Sequence, residues 1–374
     1  MRSINRWCVV ISICVSFASS LCAQSFFIGT YTGGASEGIY YSQLDPGTGS
    51  IAQPRLVAKL VNPSFLDIHP RLQVLYAISE VAAKGNESSQ VMAYRFNGQG
   101  ELTPLGGCEA GGDGPCHVAV HASGKFLFVA NYGSGSLSSF VLNSDGSIGQ
   151  MQSNIQHTGS SVNPQRQREP HAHCVMPDPS GNFLCAADLG TDEVISYRID
   201  LATGALTKTA SVKLVPGSGP RHLAFHPSGK YAFVIEELSS TLSLCSWDDQ
   251  SGKLNVLQNL STLPEQFGQS SFTAEVQVHP SGNFVYGSNR GHDSVAIFAF
   301  DEAAKALTLK GHMKTGGKTP RNFRISPDGN FLLAENQQSD SIIAFRIDAT
   351  TGKLAKVGDG VQVGSPCCIK FFGD

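Results

Sequence analysis

Apolar and polar positions recur along this chain as a unit of about 51 residues. Six segments carry it: LDIHPRLQVLYAISE (66–80), VAVHASGKFLFVANY (118–132), VMPDPSGNFLCAADL (175–189), LAFHPSGKYAFVIEE (223–237), VQVHPSGNFVYGSNR (276–290) and FRISPDGNFLLAENQ (323–337). Each starts as an alternating apolar run, turns at Pro-Ser-Gly or a variant of it, and continues into a second run such as KFLFVAN. A polar loop leads to a third run, among them SLSSFVL, TLSLCSW and SVAIFAF, and a glycine turn leads to a weaker fourth. No stretch keeps a strong 3.6-residue period. Four short strands in about 50 residues make one propeller blade. The ends supply one more unit. FFIGTYTGGASEGIYYSQLDPGTGSIAQPRLVAKL (26–60) reads as strands two to four, and GSPCCIKFF (364–372) as a missing first strand. The pattern predicts an all-β chain: a seven-bladed β-propeller of four-stranded antiparallel blades, closed by N-terminal strands pairing with the C-terminal strand. One domain, 24–374, is expected.

Composition fits this reading. Charged residues are 15%, hydrophobic residues 41% and glycines 40 of 374, a turn-rich chain with few solvated helices. A net charge of −3 leaves no basic footprint for nucleic acid. Residues 1–23, MRSINRWCVVISICVSFASSLCA, open with Arg2 and Arg6, run apolar to Ala18 and end on small residues, which reads as a secretory signal peptide rather than a membrane span. The protein is expected outside the cytoplasm, periplasmic or secreted; were 1–23 not a signal, it would be cytoplasmic. Seven cysteines would remain after cleavage: Cys108, Cys116, Cys174, Cys185, Cys245, Cys367 and Cys368. They read mostly as buried free thiols, with a Cys108–Cys116 bridge as the alternative pairing.

Aligning the units on their central turn compares positions inside one chain. At the start of the first strand stand Ser64, Cys116, His173, Arg221, Ala274, Arg321 and Cys367, followed by Phe65, His117, Cys174, His222, Glu275, Asn322 and Cys368. At the end of the second strand stand Ser79-Glu80, Asn131-Tyr132, Asp188-Leu189, Glu236-Glu237, Asn289-Arg290 and Asn336-Gln337. Antiparallel pairing brings both sets to one rim, and the first strand lines the channel. Repeated packing explains uniform positions, not a varied polar set. His173, Arg221, Glu237 and Arg290 are therefore the expected catalytic residues, with Arg321, His117, His222, Glu80, Asn289 and Asn336 as substrate-binding neighbours.

This inventory suits opening of an anionic lactone. Arginine forks bind carboxylate or phosphate and a developing oxyanion. Glu237 with His173 would activate water and protonate the leaving oxygen. A nucleophilic mechanism is disfavoured: no GxSxG elbow occurs, and Cys116 and His117, as consecutive strand residues, should face opposite ways. His171 and His173 in EPHAH lack a third metal ligand, so no metal is expected. The histidines of the HP turns, His69, His226 and His279, with His121 in the same place, read as structural. Asp192 and Glu193 read as solvated loop charges.

These residues also carry a family resemblance. EPHAHCVMPDPSGNFLCAADLGTDEV, GPRHLAFHPSGKYAFVIEELSST, SNRGHDSVAIF and TPRNFRISPDGNFLLAENQQSDSI, with FFIGTYTGG, resemble the seven-bladed β-propeller lactonase family over 26–372. That family includes the bacterial propeller-type 6-phosphogluconolactonases and the fungal carboxy-cis,cis-muconate cyclase. The resemblance implies sugar-lactone hydrolysis without a required metal, no cofactor, a small anionic lactone as the only partner, and a monomer. It places the family's His, Arg, Glu and Arg on His173, Arg221, Glu237 and Arg290. Glu236 departs from an Asn common in relatives, and a second carboxylate there would raise the pKa of Glu237 or change substrate preference. A lactonising muconate cycloisomerase and a non-catalytic surface propeller are the alternatives.

Overall fold

Seven four-stranded antiparallel sheets stand around a central channel in the computed structural model, which describes residues 22–82 and 89–373. Apart from Cys22 and Ala23, the leader read at 1–23 lies outside the described residues. The innermost strands are Leu66–Ile68, Pro115–Val120, Ala172–Pro177, Pro220–Phe225, Phe272–Val278, Pro320–Ile325 and Pro366–Phe372. The last of these pairs with Gln24–Thr30, in register Phe27 to Lys370 and Ile28 to Ile369, and so closes the ring. The described cysteines are all free thiols, Cys108 and Cys116 included.

The core lies between blades rather than inside one. Phe128, Leu137 and Ala130 of one blade pack on Val175, Leu184 and Tyr197 of the next, and each later junction repeats the arrangement. Both faces of a blade's middle strands are thus covered. This is why FLFVAN and YAFVIE are buried at every residue instead of every second one. The outermost strands have a solvent face and are largely exposed, as in Leu206–Lys213.

The turn histidines are the clamps between blades. The Nε2 atoms of His69, His121, His226 and His279 each bond the turn-glycine carbonyl of the next blade: Gly124, Gly181, Gly282 and Gly329, at 2.8 to 3.1 Å. The backbone N–H two residues on donates to each Nδ1 at 3.1 Å, so Nε2 carries the proton and donates. Gly282 has φ +79, and a Cβ there would sit 2.4 Å from the His226 ring, so conformation and space both require glycine.

Candidate active site

Six of the seven inner strands carry a β-bulge at one register. Pro220 faces Glu236 and His222 faces Ile235, leaving Arg221 unpaired between them. His173, Cys116, Arg321 and Cys367 are the corresponding extra residues, and the fifth blade bulges at Ala274-Glu275. A bulge breaks strict alternation, so both members of each consecutive pair turn into the channel. Arg221 Nη1 reaches its neighbour His222 Nε2 at 3.2 Å. The expectation that Cys116 and His117 face opposite ways therefore fails. Instead they belong to two stacked layers. Ser64, Cys116, His173, Arg221, Arg321 and Cys367 lie nearer one mouth. Phe65, His117, Cys174, His222, Glu275, Asn322 and Cys368 lie beneath them and face a cavity that opens the other way.

The second strands deliver the rest of the first layer. In four of the pairs at their ends, the second residue (Glu80, Tyr132, Glu237 or Arg290) reaches the mouth groups. Glu237, 4% exposed, is the centre. Its Oε1 accepts from Arg166 Nη2 at 2.8 Å, and its Oε2 pairs with Arg221 Nε at 3.1 Å and Arg290 Nη2 at 2.8 Å. Burial alone would push this carboxyl up, but Arg290, Arg221 and Arg166 outweigh it and hold it at about 2. Burial draws Arg290 down to about 10, still cationic at neutral pH. Its Nε is buried without a partner among the described residues. Across the mouth, Arg321 Nη2 donates to Tyr31 Oη at 2.8 Å, and Tyr31 donates to Glu80 Oε2 at 2.6 Å, which Ser64 also bonds.

His173 stands between these groups. Its Nδ1 lies 3.8 Å from Cys116 Sγ, whose own proton is directed at the Ala172 and His173 carbonyls. The tautomer protonated on Nδ1 would donate to this sulfur and leave the Nε2 lone pair free. Burial, with Arg221 next, holds His173 well below the ordinary histidine value, so it is neutral at pH 7. Tyr132 wedges its ring against both His171, at 4.4 Å, and His173, at 5.3 Å. The EPHAH pair is thus taken up by aromatic packing, and no group of three potential metal ligands occurs among the described residues.

Several expected site residues lie elsewhere. Asn289 is fully buried in its blade, bonded to Thr262 and Ser294, and Asn336 likewise reaches the Thr315 carbonyl. Both brace their blades and do not line the mouth, because alternation at the strand end turns them inward. His117 and His222 belong to the lower layer: His222 supports Arg221 from below and donates from Nδ1 to Glu275 Oε2 at 3.1 Å, while the His117 ring packs tilted against Phe65, centroids 4.1 Å apart. Glu236 faces its own blade, bonded to Ser243, Thr241 and Asn259. It therefore does not raise Glu237, whose charged neighbours are arginines.

The loop 157–171 holds what the repeat alignment missed. Arg166 has no counterpart in other blades because it sits in this insertion, and besides Glu237 it bonds Tyr132 Oη at 3.0 Å. The signal was the fifteen-residue length of the loop itself, since structureless links this long are commonly functional. Its anchor is Asp192, which is 2% exposed and not a solvated charge. Asp192 accepts from Ser161, from Gln167 Nε2 at 2.7 Å, and from the Gly217 and Gly219 amides at 2.7 Å. Glu193 is half-buried and loosely paired with Lys213 at 3.7 Å.

The mouth of this closed propeller gathers four guanidinium groups, two carboxylates and a neutral imidazole. Residues 25–371 match the family described as "Lactonase, 7-bladed beta-propeller". The chain belongs to that family and is an enzyme of the lactone-opening carboxylic ester hydrolases. It is 37% identical to a 6-phosphogluconolactonase of Bacillus subtilis (strain 168) over 347 residues, covering 92% of this chain and 97% of that one. A 6-phosphogluconolactonase of Formosa agariphila is 33% identical over 354 residues, covering 92% and 99%. The structure of a periplasmic gluconolactonase of Pseudomonas aeruginosa superposes with a TM-score of 0.89 at 33% identity, covering 94% and 99%.

Proposed function

We propose that the protein hydrolyses a six-membered sugar lactone, 6-phospho-D-glucono-1,5-lactone or a close analogue, to the open acid. The observation that carries this reading is the charge at the mouth. Arg166, Arg221, Arg290 and Arg321 face Glu80 and Glu237, which leaves two positive charges unmatched for a substrate anion. The space enclosed beneath is only about 10 Å³, enough for one water and not for a sugar, so the substrate lies over the layer.

In this reading His173 Nε2 takes a proton from water as the oxygen adds to the lactone carbonyl. The oxyanion forms against Arg290 and Arg221, whose donors are fixed beforehand by Glu237. The carbon–ring-oxygen bond then breaks and the imidazolium returns the proton to the leaving oxygen. An imidazolium beside Arg221 is disfavoured, which favours that return. Glu237 at about 2 is a weak base. Its place is to hold three arginines, a shift from the role expected of it as water activator.

A second reading has its own support. The signal-like segment 1–23 and the periplasmic relative favour an unphosphorylated lactone met outside the cytoplasm. Proton release at pH 7 decides, measured with residues 24–374 on 6-phosphoglucono-δ-lactone, glucono-δ-lactone and a carboxymuconate. Hydrolysis of the phosphorylated lactone, lost in Arg221→Ala, supports the first reading. Hydrolysis of the unphosphorylated lactone alone supports the second. Consumption of the muconate only, or of none, overturns both.

A further inference from the structure

The lower channel contains a cavity of about 490 Å³ on the far side of the ring from Glu237. Its roof is the second layer, and one further turn along the inner strands a third layer of channel positions forms its wall. Most polar groups there already have partners. Lys370 pairs with Asp67 at 3.1 Å. Gln277 is spent on its neighbour strand, donating to the Phe323 carbonyl and accepting from the Ile325 N–H. Glu275 in the roof is committed to His222 Nδ1 and the Val276 N–H. Arg324, half-buried in the wall, makes no hydrogen bond or ion-pair contact among the described residues, and the buried carboxyls of Glu275 and Glu335, both pushed up by burial, lie within reach of its charge. Around it the surface is apolar: Phe65, Met176, Phe225 and Val278.

We propose that this cavity is a second ligand site, for a small monocarboxylate with an apolar body, its carboxylate on Arg324 and its body against Phe65, Met176 and Phe225. The volume falls within the range of about 300–1,000 Å³ typical of small-molecule sites, and an apolar wall with few placed polar groups is their usual lining. A planar guanidinium with free donors matches a carboxylate in two bonds. A single guanidinium with free donors takes one carboxylate, whereas the catalytic mouth gathers four guanidinium groups. The site also has a route to the chemistry. A ligand under His222 and Glu275 presses on the pair that supports Arg221 from below. It would therefore alter turnover without competing for the mouth.

The probe is 4-bromobenzoate. Crystals grown with it should show anomalous bromine density in the lower channel, with the carboxylate on Arg324. Calorimetric affinity should fall roughly tenfold or more in Arg324→Met, the worth of a charged hydrogen-bond pair, and change less than twofold in Arg290→Ala. Bromine only at the Glu237 mouth, the reverse order of the two variants, or no binding to the unmodified protein would each overturn the proposal. If Arg324→Met fails to fold, the bromine position alone decides. None of these readouts depends on which lactone the enzyme opens.

Discussion

Glu237→Gln tests the idea that this carboxylate is a clamp for arginines. The substitution keeps shape and removes charge, leaving Arg166, Arg221 and Arg290 around a neutral amide. A carboxyl held at about 2 against an ordinary 4.5 contributes roughly 3 kcal/mol at neutral pH, at about 1.4 kcal/mol per pH unit. Breaking a buried pair by removing one partner costs about the same. For a ring of this length, unfolding entropy near 2 cal/mol/K per residue turns that into a melting point lower by roughly 4 °C. The sign with pH is fixed. The folded pKa is depressed, so the stabilisation is complete above the unfolded value and is lost as pH falls toward about 2. Calorimetric melting of the two proteins should differ most at pH 7, and by roughly half as much at pH 3. Turnover should fall about 100-fold or more, because the oxyanion donors lose their fixed aim. Equal melting at pH 7, a gap that widens in acid, or full turnover would refute the clamp.

Other consequences are as direct. Burial and Arg221 hold His173 well below the ordinary histidine value, so the acidic limb of kcat/KM should fall below pH 6.5, and His173→Gln should abolish that limb along with most activity. His226→Ala removes the bond to the Gly282 carbonyl and should destabilise by about 1–3 kcal/mol with kcat/KM unchanged, as read by denaturant melts beside assays. Glu236→Gln should leave kcat/KM within about twofold, because that side chain is bonded inside its blade. It should cost about 1–2 kcal/mol of stability, because an amide cannot accept at both ends.

The fold was legible because it is periodic. A turn histidine in four of the six units, a turn glycine at positive φ in five, and a buried second strand recur at intervals of about 51 residues, and each has one local cause: a clamp between blades, a tight turn, a sheet covered on both faces. Ring closure was legible for the same reason, since the terminal fragments supply the strands one unit lacks. His173, Arg221, Glu237 and Arg290 were legible by contrast, as varied polar residues at positions where packing alone would repeat itself.

Two decisions belonged to the tertiary structure. The first is direction. The bulge on six inner strands turns consecutive residues into the channel at two depths, so Arg221 serves the mouth while His222 faces the cavity below. Alternation at the second-strand ends sends Glu237 out and Glu236 in. Sequence alone does not show a one-residue bulge, because it depends on how seven inner strands crowd around one axis. The second is recruitment. Arg166 reaches Glu237 across 71 positions only because Asp192 pins a non-repeating loop over the mouth. Local propensity and period fix what repeats; a side chain carried by an insertion meets its partner only when the ring has closed.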